Sequence, residues 1–125
     1  MAPVQLQKAL FLITRNLSEA QRGGASYQFR AYDYGPFDSA VYSDAEALQR
    51  DGLIRITNGN QPFRTYSITD LGAMEAHRLR LSLAPEVADY LDRVGDWVRG
   101  LSFGELVRAI YALYPEMKAN SVFSG

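Results

Sequence analysis

The chain contains no cysteine, which excludes disulfide staples, thiolate zinc sites and thiol nucleophiles. It has one histidine, His77. No HExxH spacing surrounds it, so neither a metal site nor a histidine-based triad is expected. Ser67, Ser82 and Ser102 all have structural readings as strand or cap residues. No stretch approaches the roughly eighteen apolar residues of a membrane span. The opening MAPVQLQKALFLITRNL carries Lys8 inside its apolar pattern, without a basic region and unbroken hydrophobic run. It does not read as a signal peptide, and a cytoplasmic location is expected. The glycines of Arg22-Gly23-Gly24 and Asn58-Gly59-Asn60 do not join a strand to a helix as a phosphate-cradling loop must. Basic excess is lacking too: 13 basic against 14 acidic residues leave a net charge of -1. That removes the commonest support for nucleic-acid binding without forbidding it. No catalytic residue, metal or cofactor is expected, and the chain reads as a non-enzyme.

What is present is enough apolar side chain for a core, 47% of 125 residues, in a length suited to one domain spanning 1 to 125. Leu6, Leu10, Ile13 and Leu17, with Ala9 beside them, predict a helix over 4 to 17 with one buried stripe. Tyr27, Phe29, Ala31 and Tyr34 read as a short extended stretch that Gly35-Pro36 stops. Asp38 or Ser39 then caps a helix over 39 to 50, with Val41, Ala45 and Leu48 inward. Gly52 ends it in a left-handed position, and Leu53 closes over the stripe.

Residues 53 to 57 and 63 to 68 read as two strands, with Ile54, Ile56, Tyr66 and Ile68 facing inward. The polar Asn58-Gly59-Asn60-Gln61 connects them. A helix followed by such a hairpin is the order of a wing. Thr69 caps a further helix in which Leu71, Met74, Arg78 and Leu81 recur, the arginine stem lying along the apolar face. Pro85 opens the next helix, whose broad face runs through Val87, Tyr90, Leu91, Val94, Trp97 and Val98. Asp89, Asp92 and Asp96 lie on its other side as a solvated acidic face compensated by Arg93 and Arg99. Ser102 and Glu105 form a capping box for a last helix burying Phe103, Leu106, Val107, Ile110 and Tyr114, which Pro115 ends. Flexibility is expected at Arg22–Ala25, at Asn58–Gln61 and after Ala119.

The expected fold is therefore mainly α with a small β-hairpin wing. It would be a winged helix-turn-helix core over 4 to 82 with a C-terminal helical pair over 85 to 117, packed on it or in a dimer interface. The phrase Tyr34-Gly35-Pro36-Phe37, Val41-Tyr42, Leu48, Asp51-Gly52-Leu53-Ile54, Tyr66-Ser67-Ile68-Thr69 and Gly72 resembles the YwgA-like bacterial and archaeal proteins. It resembles the Panacea-type antitoxin domain more distantly. The opening Leu6–Ile13 fits as well, and the helical tail through Leu113-Tyr114-Pro115 and Ser121 is similar in character. The matching positions are core and turn residues, so the resemblance implies architecture and leaves a choice among functions.

Two functions follow. As a winged-helix regulator of transcription, the chain would bind double-stranded DNA through the helix over 39 to 50 and the wing. Candidate contacts are Ser39, Tyr42, Ser43, Gln49 and Arg50 on the helix, and Asn58, Asn60, Gln61 and Arg64 on the wing. Glu46 also faces outward. With Asp38 and Asp44 it sets three acids against one base between Phe37 and Arg50, which opposes phosphate binding. Arg15, Arg22, Arg30, Arg55 and Arg64 would have to gather in space to offset this. The alternative is a protein-interaction module, such as an antitoxin or an accessory subunit of a defence or regulatory complex. It is motivated by the aromatic density at Tyr27, Phe29, Tyr32, Tyr34, Phe37 and Tyr42. Alternate positions on a strand face opposite ways, so not all of these rings can enter one core. Interface candidates are Tyr32, Tyr34, Tyr90 and Trp97, and a homodimer through the Val87–Val98 face is the expected assembly.

Overall fold

The first helix begins where Pro3 supplies a preset φ and the Gln5 side chain turns back to accept from the Ala2 amide at 2.7 Å. It is α1, Pro3–Asn16. The computed structural model describes residues 1–23, 27–58, 60 and 63–124. A hairpin of β1 (Arg30–Tyr32) and β2 (Gly35–Phe37) comes next, then α2 (Ala40–Arg50). The wing, β3 (Ile54–Thr57) and β4 (Thr65–Ile68), follows, and then α3 (Asp70–Arg80). Helices α4 (Pro85–Arg99) and α5 (Phe103–Leu113) and a 3-10 turn over Pro115–Lys118 complete the chain. It is mainly α with a small β-hairpin wing.

The local signals are realised in hydrogen bonds. At the end of α2 the Gly52 amide donates to Gln49 and the Leu53 amide to Leu48, both at 3.0 Å, with Gly52 at φ 78°. This is the paired closure that a left-handed glycine permits. Thr69 Oγ1 accepts from the Gly72 amide at 3.0 Å. Ser102 and Glu105 cap each other's backbone at 3.2 and 2.9 Å. The wing register pairs Ile54 with Ile68 and Ile56 with Tyr66.

Helix α1 is central, touching α2, β2, α4 and α5. Phe11 and Leu12 meet Val94 and Val98 of α4, Leu106 and Ile110 of α5, and Met117. Each such side chain contributes about 1.5–3 kcal/mol by leaving water. Layers on both sides of α1 explain a departure from the single expected stripe. Leu6, Leu10, Ile13 and Leu17 are only half-buried, while Gln7, Lys8, Phe11 and Leu12 are buried. The broad face of α4 is covered by α1 of the same chain.

Other expectations are corrected. Gly35-Pro36 does not stop the extended stretch but opens β2, paired antiparallel with β1. Gly35 sits at φ 112°, which glycine tolerates, with Tyr111 and Lys8 close against it. Leu48 and Ile68, expected inward, are 42% and 57% exposed, and Leu71, Met74 and Leu81 are exposed too. Among the described residues the wing has two strands, and α3 lies outside the helical stack around α1, which leaves these side chains in water. Phe103 is exposed and Tyr111 buried in its place on α5, while Tyr114 is half-buried. The tail after Ala119 is tied down. The Val122 amide donates to Asp33 O at 2.9 Å and Tyr111 donates to Ser121 Oγ at 2.7 Å. Of the other segments expected to flex, residues 24, 25, 59 and 61 lie outside the described residues.

Candidate functional site

Val41 and Ala45 fasten α2 to the body of the chain, which turns Ser39, Ser43, Glu46, Gln49 and Arg50 outward. Asp38, rather than Ser39, provides the side-chain cap, accepting from the Ala40 amide at 2.9 Å and from Gln28 at 2.8 Å. At the other end, Gln49 Oε1 accepts from the Ile56 amide at 2.7 Å, tying helix to wing. Between them lies a groove of about 420 Å³ lined by Glu46, Gln49, Arg50, Ile56, Thr57, Asn58 and Arg64. Four of the nine DNA-contact candidates meet there: Gln49, Arg50, Asn58 and Arg64.

The others lie elsewhere. Ser39 and Ser43 are exposed on α2 outside the groove lining. Tyr42 is half-buried, stacked 6.2 Å from Tyr66 and edge-on to Phe37 at 5.8 Å. Burial raises its phenol pKa, so this ring belongs to the internal packing of the helix. Asn60 is exposed at the wing tip, and Gln61 lies outside the described residues.

The three acids of this helix are each engaged. Asp38 holds backbone amides, Asp44 accepts from the Tyr27 hydroxyl at 2.6 Å, and Glu46 pairs with Arg64 at 3.4 Å. Burial, then the bond to Asp44, pushes the Tyr27 phenol up. Arg50 and Arg55 are exposed, and among the described residues neither forms an ion pair. Arg15 pairs with Glu116 and lies over Phe11 and Tyr114, while Arg30 lies over Tyr32. Only Arg55 and Arg64 share the wing. The acidic face of α4 is matched inside the chain, with Asp89 on Arg93, Asp92 on Arg80 and Asp96 on Arg99.

A second concave surface is aromatic. Tyr34, Phe63 and Phe103, each close to half exposed, line a groove of about 510 Å³ together with Pro3 and Val4. Tyr34 meets Phe103 edge-on at 5.1 Å. Tyr32, 44% exposed, stacks at 4.8 Å on Phe37 beside it. The hairpin turn at Asp33–Tyr34 sets this exposure. Of the remaining interface candidates, Tyr90 donates its hydroxyl to Leu12 O at 3.2 Å within the chain, and Trp97 is 37% exposed. Sequence reasoning placed Phe103 in the core and Phe63 in a strand, so this groove was missed. No short-range pattern joins positions 34, 63 and 103.

Lys8 was missed as well. It is 1% exposed, and its Nζ donates to Tyr34 O at 2.6 Å. Burial lowers its pKa to about 8. Its position three and four residues before Phe11 and Leu12 was the available signal, since that spacing puts all three on one helix face. Asp33 and Lys8 line one small cavity but are not within ion-pair distance of each other.

Among the described residues no cluster of three or more His, Cys, Asp or Glu is placed to hold a metal ion. Nor is any helix long and apolar enough to cross a membrane. No family model, curated protein or solved structure matches this chain.

Proposed function

We propose that the chain is a non-enzymatic, winged-helix-type regulatory domain that binds double-stranded DNA with α2 and the wing. One observation carries this reading: Gln49, Arg50, Asn58 and Arg64, drawn from two separate segments, line one exposed groove. An arginine and a glutamine are side chains suited to base edges, and wing amides and a second arginine are suited to phosphate. The engaged acids support it as well. Glu46, the one acid in the groove, is already paired with Arg64.

The test is fluorescence anisotropy of the full chain with mixed duplex DNA across a salt series. Binding should weaken steeply with salt, and Arg50→Ala and Arg64→Ala should each weaken it and flatten the salt slope by about one. Equal affinity in wild type and both variants would refute the assignment of this groove.

A second reading is favoured by the aromatic groove, because half-exposed Tyr34, Phe63 and Phe103 around a concave apolar surface suit a protein partner. An antitoxin or accessory subunit would use this surface. Under that reading Phe63→Ala and Phe103→Ala abolish co-purification of a partner while the arginine variants leave it unchanged.

A further inference from the structure

Helix α3 leaves most of its apolar stripe in water, with Leu71 reaching back as far as Gly52. Leu71, Met74 and Leu81 are 55%, 71% and 76% exposed, and Arg78 stands between the last two on the same face. What holds α3 to the body lies on the opposite side. There Gly72 is pressed against the Leu53 carbonyl, so closely that a Cβ would lie 1.9 Å from that oxygen. An amphipathic helix ordinarily buries its apolar stripe against its own core. This one leaves Leu71, Met74, Leu79 and Leu81 exposed, and Gly72 is its one buried residue.

The stripe has an internal symmetry. Leu71 and Leu81 lie equally far on either side of residue 76, and so do Met74 and Arg78. A two-fold axis at the level of residue 76, with two copies of α3 side by side and antiparallel, therefore sets Leu71 against the partner's Leu81. It also lays Met74 along the stem of the partner's Arg78. Such an isologous contact satisfies each position with its mirror position.

The charges agree with this arrangement. Glu75 and Arg78, an ion pair within the chain, flank the same level. The axis brings the partner's Arg78 beside Glu75, so two internal pairs become one alternating group of four. Asp70 lies in the first turn of α3, and His77, Arg78 and Arg80 lie in the last. Antiparallel pairing sets the acidic, positive-dipole end of each helix against the basic, negative-dipole end of the other. A parallel pairing would set like ends together.

We infer that the outward face of α3 is a homodimer interface, and that its occupant is the same face of a second copy, antiparallel about residue 76. The inference is independent of what α2 and the wing bind. It moves the dimer contact from α4, whose broad face α1 already covers, to α3.

Sedimentation of the full chain at micromolar concentration should give a dimer. Leu81→Glu should raise its dissociation constant by at least about 30-fold, with an unchanged circular dichroism spectrum because Leu81 touches no core residue. The register is tested by thiol pairing, which the absence of native cysteine makes unambiguous. Leu71→Cys and Leu81→Cys chains, mixed and oxidised, should give the mixed disulfide, with far less of either homodisulfide. A wild-type chain that sediments as a monomer overturns the inference. So does a dimer that survives Leu81→Glu, or one in which homodisulfides dominate.

Discussion

Replacing Lys8 with methionine should make the protein more stable at neutral pH, by an amount that shrinks as the pH rises. Lys8 is 1% exposed and has a single hydrogen bond, to the Tyr34 carbonyl. Desolvation brings its pKa from the ordinary 10.5 down to about 8. In the unfolded chain the group keeps its ordinary value. Between the two values the unfolded chain binds more protons than the native one, so wild-type stability rises with pH across that window. The gain from pH 7 to pH 10 is about 2–3 kcal/mol. Methionine fills nearly the same volume with no charge to desolvate, at the loss of a hydrogen bond worth about 1–3 kcal/mol.

The assay is urea unfolding of both proteins at pH 7, 8, 9 and 10. Tyrosines such as Tyr27 and Tyr42 titrate in both and cancel in the difference. The advantage of Lys8→Met should fall by about 2–3 kcal/mol over the series. At an m-value of about 2 kcal/mol/M, that closes the gap between midpoints by roughly 1 M. A difference that does not change with pH would refute the reasoning, because a lysine that titrates normally in the folded state gives no such slope below pH 10.

Gly72→Ala should detach α3, since its Cβ meets the Leu53 backbone and the flexible side-chain escape is absent. The penalty is about 3 kcal/mol or the local unfolding energy of α3, whichever is smaller. Hydrogen exchange should show lost protection in α3 with α1 and α5 unchanged. Ser102→Ala removes the side-chain cap of α5 while the residue-102 amide keeps its bond to Glu105, and should lower stability by about 1 kcal/mol in urea unfolding. Leu106→Ala, at a fully buried position between α1 and α4, should lower it by about 2–5 kcal/mol. A smaller loss would mean the surrounding side chains collapse into the space.

The helices and the wing were legible because their signals act over a few residues. Gly52 closes α2, Thr69 and Ser102 cap the helices that follow them, and Pro85 opens α4, all through bonds spanning one turn. The groove between α2 and wing was legible in part. The wing follows α2 after a three-residue turn, so Gln49, Arg50, Asn58 and Arg64 are brought together by local connectivity. The half-burial of Tyr42 was not legible, since Tyr66 packs on its ring from a separate element.

Which apolar face is covered was decided only by the tertiary structure. Periodicity shows that a helix has an apolar stripe, but coverage depends on which other element arrives there. Elements on both sides of α1 bury Lys8 with Phe11, whereas Met74 and Leu81 stay 71% and 76% exposed on α3. The aromatic groove joins Pro3, Tyr34, Phe63 and Phe103, segments far apart in sequence. The sequence by itself determined the helices and the wing, because these rest on bonds between neighbours, but not the hairpin of β1 and β2. The packing of α1 at the centre decided the rest, because burial is a property of what surrounds a side chain.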